Sequence, residues 1–349
     1  MFNSKRHDYG YGHTTIDITD NDKTLIDNQS EKFDNDSINR CILNSSSIYR
    51  EYQDTKYCLS LQGGGKRGYA TVLFLSVLEK LGINILEKFD MFGGCSVGAM
   101  IAAALVTGTN AEELFFKVQE QMKNPNTLVK TTLHSVPFMM KYKGTGKRRM
   151  INKLIPPVNM KGEPLYDHQK PIKMKDLVVA TYQTTSAQAC YFTTGMKHSI
   201  RDVIDASTAA PTYFPPIIID DNPYIDGGVA TNDVSMFLYA RARRKWPNSR
   251  IKILNVGTGR YRCKFKTSSR PGMIELFQSG LHHVIANASN DVTDFISQSL
   301  LGRDYFHVNT DMIKNIQMDG TDPQHFHDLA IMAHEWSVKY ATECIKFLN

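Results

Sequence analysis

The sequence predicts an α/β fold, a mostly parallel sheet with helices on both faces, and three observations point to it. Short apolar runs of strand length alternate with longer segments whose apolar residues recur at helical spacing. Two of these runs end in glycines, at 63–65 and 93–94, and a helical pattern follows each at once. The chain has 349 residues, 42% hydrophobic and 22% charged, enough to bury the core that such a sheet needs. Fibrous, collagen-like and wholly disordered classes are excluded on the same figures.

The elements follow in order. Residues 1–56 are rich in Asp, Asn, Ser and Thr with few periodic apolar positions, so a polar, loosely ordered leader is expected there. A buried strand is expected at 57–62 (YCLSLQ), then a glycine loop, then a helix over 70–81. A second unit of the same kind follows, in which FDMFGGC leads into SVGAMIAAALVTG, rich in strong helix formers and halted at Gly108. Further strands are expected at 177–184, 188–193, 216–220 and 250–256. Helices are expected at 111–122, 234–245, 273–297 with a break, and 327–347. With no internal repeat and no proline-rich linker, the simplest division is the leader and one domain over 57–349.

The net charge of +6 is unevenly spread. Residues 1–56 hold 7 Lys and Arg against 10 Asp and Glu, and the remainder holds 34 against 25. Residues 121–162 carry nine bases and no acid, and 234–274 carry eleven bases and no acid. Such windows are either solvated faces whose acidic partners come from elsewhere or surfaces that attract anions. The first interleaves its bases with Leu128, Val136, Phe138, Met139, Met140 and Tyr142, a mixture suited to a lipid interface. It is expected to form a cap or lid, with Lys141, Lys143, Lys147, Arg148 and Arg149 on anionic lipid or on an anionic activator such as a nucleotide. No nucleic-acid-binding motif is present, so nucleic acid is not an expected partner. The longest apolar stretch, 99–106, is far short of the ~20 residues that span a bilayer. The first twenty residues lack the apolar region of a secretory signal, and a cytoplasmic protein is expected. The six cysteines show neither a CxxC pair nor zinc-ligand spacing.

Gly94-Cys95-Ser96-Val97-Gly98 fits G-x-S-x-G between an expected strand and an expected helix. There the small residues permit a sharp turn that exposes the serine hydroxyl at a helix N-terminus. Upstream, Gly63-Gly64-Gly65-Lys66-Arg67-Gly68 also lies between strand and helix. Its backbone N-H groups suit a phosphate cradle or an oxyanion hole. The spacing matches G-x-G-x-x-G, but no acid ends a second strand about twenty residues on, as a dinucleotide site requires. A P-loop is excluded because the G-K-[ST] ending is absent. An oxyanion hole facing Ser96 would explain both glycine motifs with one site. The serine also needs a base. Asp226 sits on a glycine turn with Gly227 and Gly228, and a Ser, Asp, His order would complete a triad with His325 or His327.

LSLQGGGKRG, GGCSVG and YIDGGVATND stand in the order found in patatin-like phospholipases, with ASTAAPTYFPP and NVGTG in supporting positions. From residue 57 to the last helix the chain resembles that family. The resemblance implies a three-layer α/β/α fold and a Ser-Asp dyad without histidine: Ser96 as nucleophile, Asp226 as base, and an oxyanion hole around Gly64 and Gly65. Arg67 takes the basic position of the glycine motif. Gln62 departs from plant patatins, which have an acid there. The expected chemistry is an acyl-enzyme and release of a fatty acid from a membrane phospholipid or other acyl lipid, at a peripheral membrane site. No metal or cofactor is called for, and no D-x-D-x-D-G run suggests calcium. A triad esterase and a non-catalytic lipid- or nucleotide-binding regulator remain as alternatives.

Overall fold

The computed structural model describes residues 52–123, 140–262, 281–312, 316, 318–320 and 323–349, with the backbone alone at 281–286. Nearly all of the expected leader, residues 124–139 of the expected cap, and 273–280 of an expected helix lie outside the described residues.

The described chain runs as β1 (Thr55–Leu61), α1 (Gly68–Lys80), α2 (Ile85–Lys88), β2 (Met91–Cys95), α3 (Val97–Val106), α4 (Ala111–Lys123) and α5 (Thr145–Leu154). It continues as β3 (Asp176–Gln183), β4 (Gln188–Thr193), α6 (Ile200–Ser207), β5 (Ile217–Ile219), β6 (Asn222–Asp226) and α7 (Ser235–Lys245). It closes with β7 (Arg250–Val256), α8 (Leu281–Leu301), β8 (Tyr305–Val308) and α9 (Pro323–Leu348). The last helix begins four residues before the expected 327. Proline, with no N-H to lose, is well placed in a first helical turn.

The eight strands form one mixed sheet in the order β5-β6-β3-β2-β1-β7-β8, with β4 also on β3. β1 lies parallel to β2 and β7, β2 parallel to β3, and β7 parallel to β8. β4, β5 and β6 pair antiparallel. Side chains alternate between the two faces of a pleated strand, and the core divides accordingly. Leu59, Leu61, Leu177, Val179, Leu254 and Val256 join one apolar cluster with α1, α3 and α9, centred on such side chains as Phe74 and the fully buried Trp336. Cys58, Val178, Ala180, Ile251 and Ile253 join a second cluster with Leu238 and Ala242 of α7 and Leu301 of α8. Helices therefore cover both faces, giving the α/β/α layering expected. Strands buried on both sides read as unbroken apolar runs, which is why β1, β3 and β7 were visible in the sequence.

One detail of register places the site. β4 occupies one flank of β3 over Val178–Gln183. On the other flank β2 pairs up to Cys95 with Ala180, and β6 takes over with Asp226 on Thr181. A strand flank holds only one partner per residue, so β2 and β6, running in opposite directions, meet end to end there. The residue after one strand, Ser96, and the last residue of the other, Asp226, are thereby brought together.

Candidate active site

Ser96 lies between β2 and α3 with φ 54° and ψ −126°, a left-handed backbone conformation that non-glycine residues rarely hold. The turn is as tight as the motif implies. A side chain at Gly98 would come within 2.0 Å of the Leu61 carbonyl oxygen, and one at Gly94 within 2.4 Å of the Gly98 backbone. Cys95 is the last residue of β2 and Val97 the first of α3. The Ser96 N-H is held by Ser207 Oγ at 3.0 Å, and that hydroxyl donates to Ala180 O at 2.7 Å. Ser207, which the sequence reading did not single out, thus ties the turn to β3.

Asp226 is buried, with the Ser96 side chain close enough to favour its charged form. Its Oδ1 accepts from Gly228 N at 2.8 Å, closing the Gly227–Val229 turn, and from Cys95 Sγ at 3.4 Å. Burial pushes its pKa above the ordinary carboxylate value, against those three groups and the nearby positive charge of Lys147. The Cys95 thiol is itself raised well above its usual value by burial and by the adjoining carboxylate, so it remains a protonated donor.

The glycine loop is anchored on its carbonyl side. Gly63 O accepts from Asn232 Nδ2 at 3.0 Å and Thr258 Oγ1 at 2.8 Å. Gly64 O accepts from Arg67 N at 3.2 Å and Arg67 Nε at 3.4 Å. In a trans peptide the C=O and N-H point in opposite directions, so these anchors turn the amides of Gly64 and Gly65 the other way. Neither amide meets an acceptor among the described residues. Arg67 is buried, and desolvation brings its guanidinium down to about 10. Lys66 donates from its side chain to Gly320 O at 2.9 Å, and Gly68 opens α1. Asn232 and Thr258 lie in the YIDGGVATND and NVGTG segments, but their part as anchors had no local signal.

Ser96, Asp226, Gly63, Gly64 and Gly65 all line a cavity of about 670 Å³. Its walls are mainly apolar: Val72 from α1, Met100 and Ile101 from α3, Leu114 and Val118 from α4, and Met150 and Leu154 from α5. Among the described residues no histidine lines it. His325 is buried at the start of α9, edge-on to Phe326 with ring centroids 5.3 Å apart, and His327 is exposed. Among the described residues no set of three His, Cys, Asp or Glu side chains gathers as metal ligands, and no helix is long and apolar enough to cross a membrane.

Of the five bases of the 141–149 stretch, Lys147 is buried and Lys141 and Arg148 also pair with acids. Lys147 is buried at the cavity wall, 2.9 Å from Asp205 Oδ1 and 4.7 Å from the centre of the Phe214 ring. Arg148 bridges Asp202 at 2.6 Å and Asp205 at 3.3 Å. Lys141 pairs with Asp319, which also accepts from Tyr142 Oη at 2.7 Å. Lys143 and Arg149 are exposed.

The sequence model of the family described as Patatin-like phospholipase matches residues 59–238. The chain is similar to the calcium-independent phospholipase A2-gamma of Oryctolagus cuniculus, 26% identical over 289 residues, which cover 75% of this chain and 35% of that protein. It thus spans about a third of that relative's length. It is also similar to the cUMP-AMP-activated phospholipase of Escherichia coli, 25% identical over 239 residues, 66% of this chain and 72% of that protein. Among solved structures, VipD from Legionella pneumophila aligns over 84% of this chain and 67% of its own, with 12% identity and a TM-score of 0.46.

Proposed function

The chain belongs to the patatin-like phospholipase family, and on that premise we propose that it hydrolyses carboxylic esters of membrane lipids through Ser96 and Asp226. The observation that carries this reading is the Ser96 hydroxyl beside a buried carboxylate at the head of an apolar cavity that no histidine lines among the described residues. As Ser96 Oγ attacks the ester carbonyl, Asp226 takes its proton and the carbonyl oxygen becomes an oxyanion at the amides of Gly64 and Gly65. Collapse expels the lipid alcohol, which receives the proton back from Asp226, and leaves the acyl group on Ser96. Asp226 then takes a proton from water, the resulting hydroxide attacks the acyl carbonyl, and as the acyl–Oγ bond breaks Asp226 returns the proton to Ser96 Oγ, releasing the fatty acid. A carboxylate serves as base here because its desolvated position brings its pKa toward working pH. The apolar cavity fits an acyl chain.

Fatty acid release from mixed phospholipid vesicles tests the reading. Ser96→Ala should abolish release, whereas His325→Gln and His327→Ala should keep most of it. Equal release by the native chain and Ser96→Ala would end the hydrolase reading, and loss at either histidine would favour a triad.

Lys147 supplies a further check. Lys147→Met leaves the buried Asp205 with only its longer contact to Arg148, a change expected to cost about 3 kcal/mol in denaturant unfolding. It also removes a positive charge that favours ionised Asp226, so the acid limb of the activity profile should move to higher pH. The name of the Escherichia coli relative raises a nucleotide activator as a partner. The exposed Lys143 and Arg149 are available to such an anion.

A further inference from the structure

Over its described side chains, 287–301, helix α8 is the wrong way round for a packed helix. The positions turned toward the body are mostly polar. Ser297 is fully buried and shares a hydrogen bond with Ser235 at 3.0 Å, and Asn290 is also buried. Asp294 accepts from Tyr305 Oη at 3.0 Å and lies 2.7 Å from His307 Nδ1. The side turned to solvent carries an apolar group, Val292, Phe295, Ile296 and Leu300, 58%, 73%, 39% and 65% exposed, with the exposed Ser299 among them. Residues spaced by three, four and eight positions share one face of an α-helix, so these four make a single stripe. A lone exposed leucine needs no explanation, but an aligned stripe over a polar underside marks a surface that something covers.

The surroundings of the stripe identify its occupant. Ser289 Oγ donates to Ala230 O at 3.1 Å, so the stripe starts one turn from the loop that follows Asp226. Val229 in that loop lines the cavity and is 45% exposed, marking its rim. The acids of α8 stay off the stripe, with Asp291 held by Arg260 and Arg262 and Asp294 by His307. Arg303, just beyond the helix, is exposed. Four side chains, counted among the described residues, are far fewer than the ~20–30 residues per side that a stable protein interface uses. They do suffice for a helix lying in a lipid interface, where aliphatic and aromatic residues enter the acyl boundary.

We propose that the outer face of α8 seats on a lipid surface and brings the cavity rim to it. The proposal rests on the lipid-hydrolase reading for the substrate but makes a binding claim of its own. It also moves the lipid contact away from 141–149, where Lys141, Lys147 and Arg148 are committed to acids within the protein.

Vesicles of phosphatidylcholine and phosphatidylglycerol provide the test. Binding is measured with Ser96→Ala, so that turnover plays no part. Adding Phe295→Ser and Leu300→Ser should lower the fraction that cosediments with vesicles by about tenfold or more. In the otherwise native chain the same pair should spare hydrolysis of a soluble short-chain ester. A Phe295→Trp variant should show a blue-shifted emission on adding vesicles, a readout that needs no destabilising change. Unchanged cosedimentation or an unshifted tryptophan would overturn the proposal. So would a native dimer that the double substitution dissociates while vesicle binding persists, because the stripe would then belong to a second copy. Vesicle binding that needs the stripe, together with no fatty acid release by the native chain, would sustain the docking surface and reject the hydrolase.

Discussion

Asp226→Asn is expected to lower ester hydrolysis by about three to four orders of magnitude while making the folded chain more stable near neutral pH. The amide has almost the same shape, so Gly228 N-H and the Cys95 thiol keep their acceptor, yet it cannot take the Ser96 proton. The stability gain follows from the direction of the Asp226 shift. Burial raises its folded pKa above the unfolded value of about 3.9. Below that value both states are protonated and the aspartate costs nothing. As pH climbs past it the unfolded chain ionises first, and native stability falls until the folded carboxyl ionises as well. Above the folded pKa the penalty is constant. Thermal midpoints of the two proteins should therefore coincide at low pH and separate on going to neutral pH, with Asp226→Asn the higher. The native rate should be lost as pH falls through the raised pKa, at a higher pH than an ordinary aspartate would give. An Asn variant that is both active and less stable at pH 7 would contradict the base assignment.

Gly98→Ala is expected to damage folding and catalysis together. The added methyl would stand 2.0 Å from the Leu61 carbonyl oxygen, and that atom belongs to β1, which is held between β2 and β7. Neither backbone can yield cheaply, so about 3 kcal/mol of overpacking is expected in a urea titration. The strain would fall on the Ser96 turn. A displacement of about 1 Å there can cost about 100-fold in rate. Retention of both native stability and native rate would mean that the turn is looser than its geometry indicates.

Much of the framework was legible in the sequence because its signals are local. β1, β2 and the helices after them show as apolar runs, glycine turns and helical spacing within about a dozen residues, and the Ser96 turn inherits that clarity. The partners of the bases were not legible. Lys147 meets Asp205 58 residues away and Lys141 meets Asp319 178 residues away, so a stretch without acids read as surface charge. The helices α5 and α6 and the short strands β6 and β8 were missed for a related reason. Their few apolar positions acquire meaning only against neighbours distant in sequence. The inward polar side of α8 belongs to the same class, since Ser235, Tyr305 and His307 come from other elements.

The end-to-end meeting of β2 and β6 on one flank of β3 has an evolutionary corollary. A single strand acts as the ruler that spaces hydroxyl from carboxylate, so the chain between α4 and β3 can lengthen, shorten or be exchanged without resetting the spacing of the proposed reacting pair. New substrate preferences can thus arise by remodelling that segment, with loop closure adding only about 0.6 kcal/mol per doubling of its length.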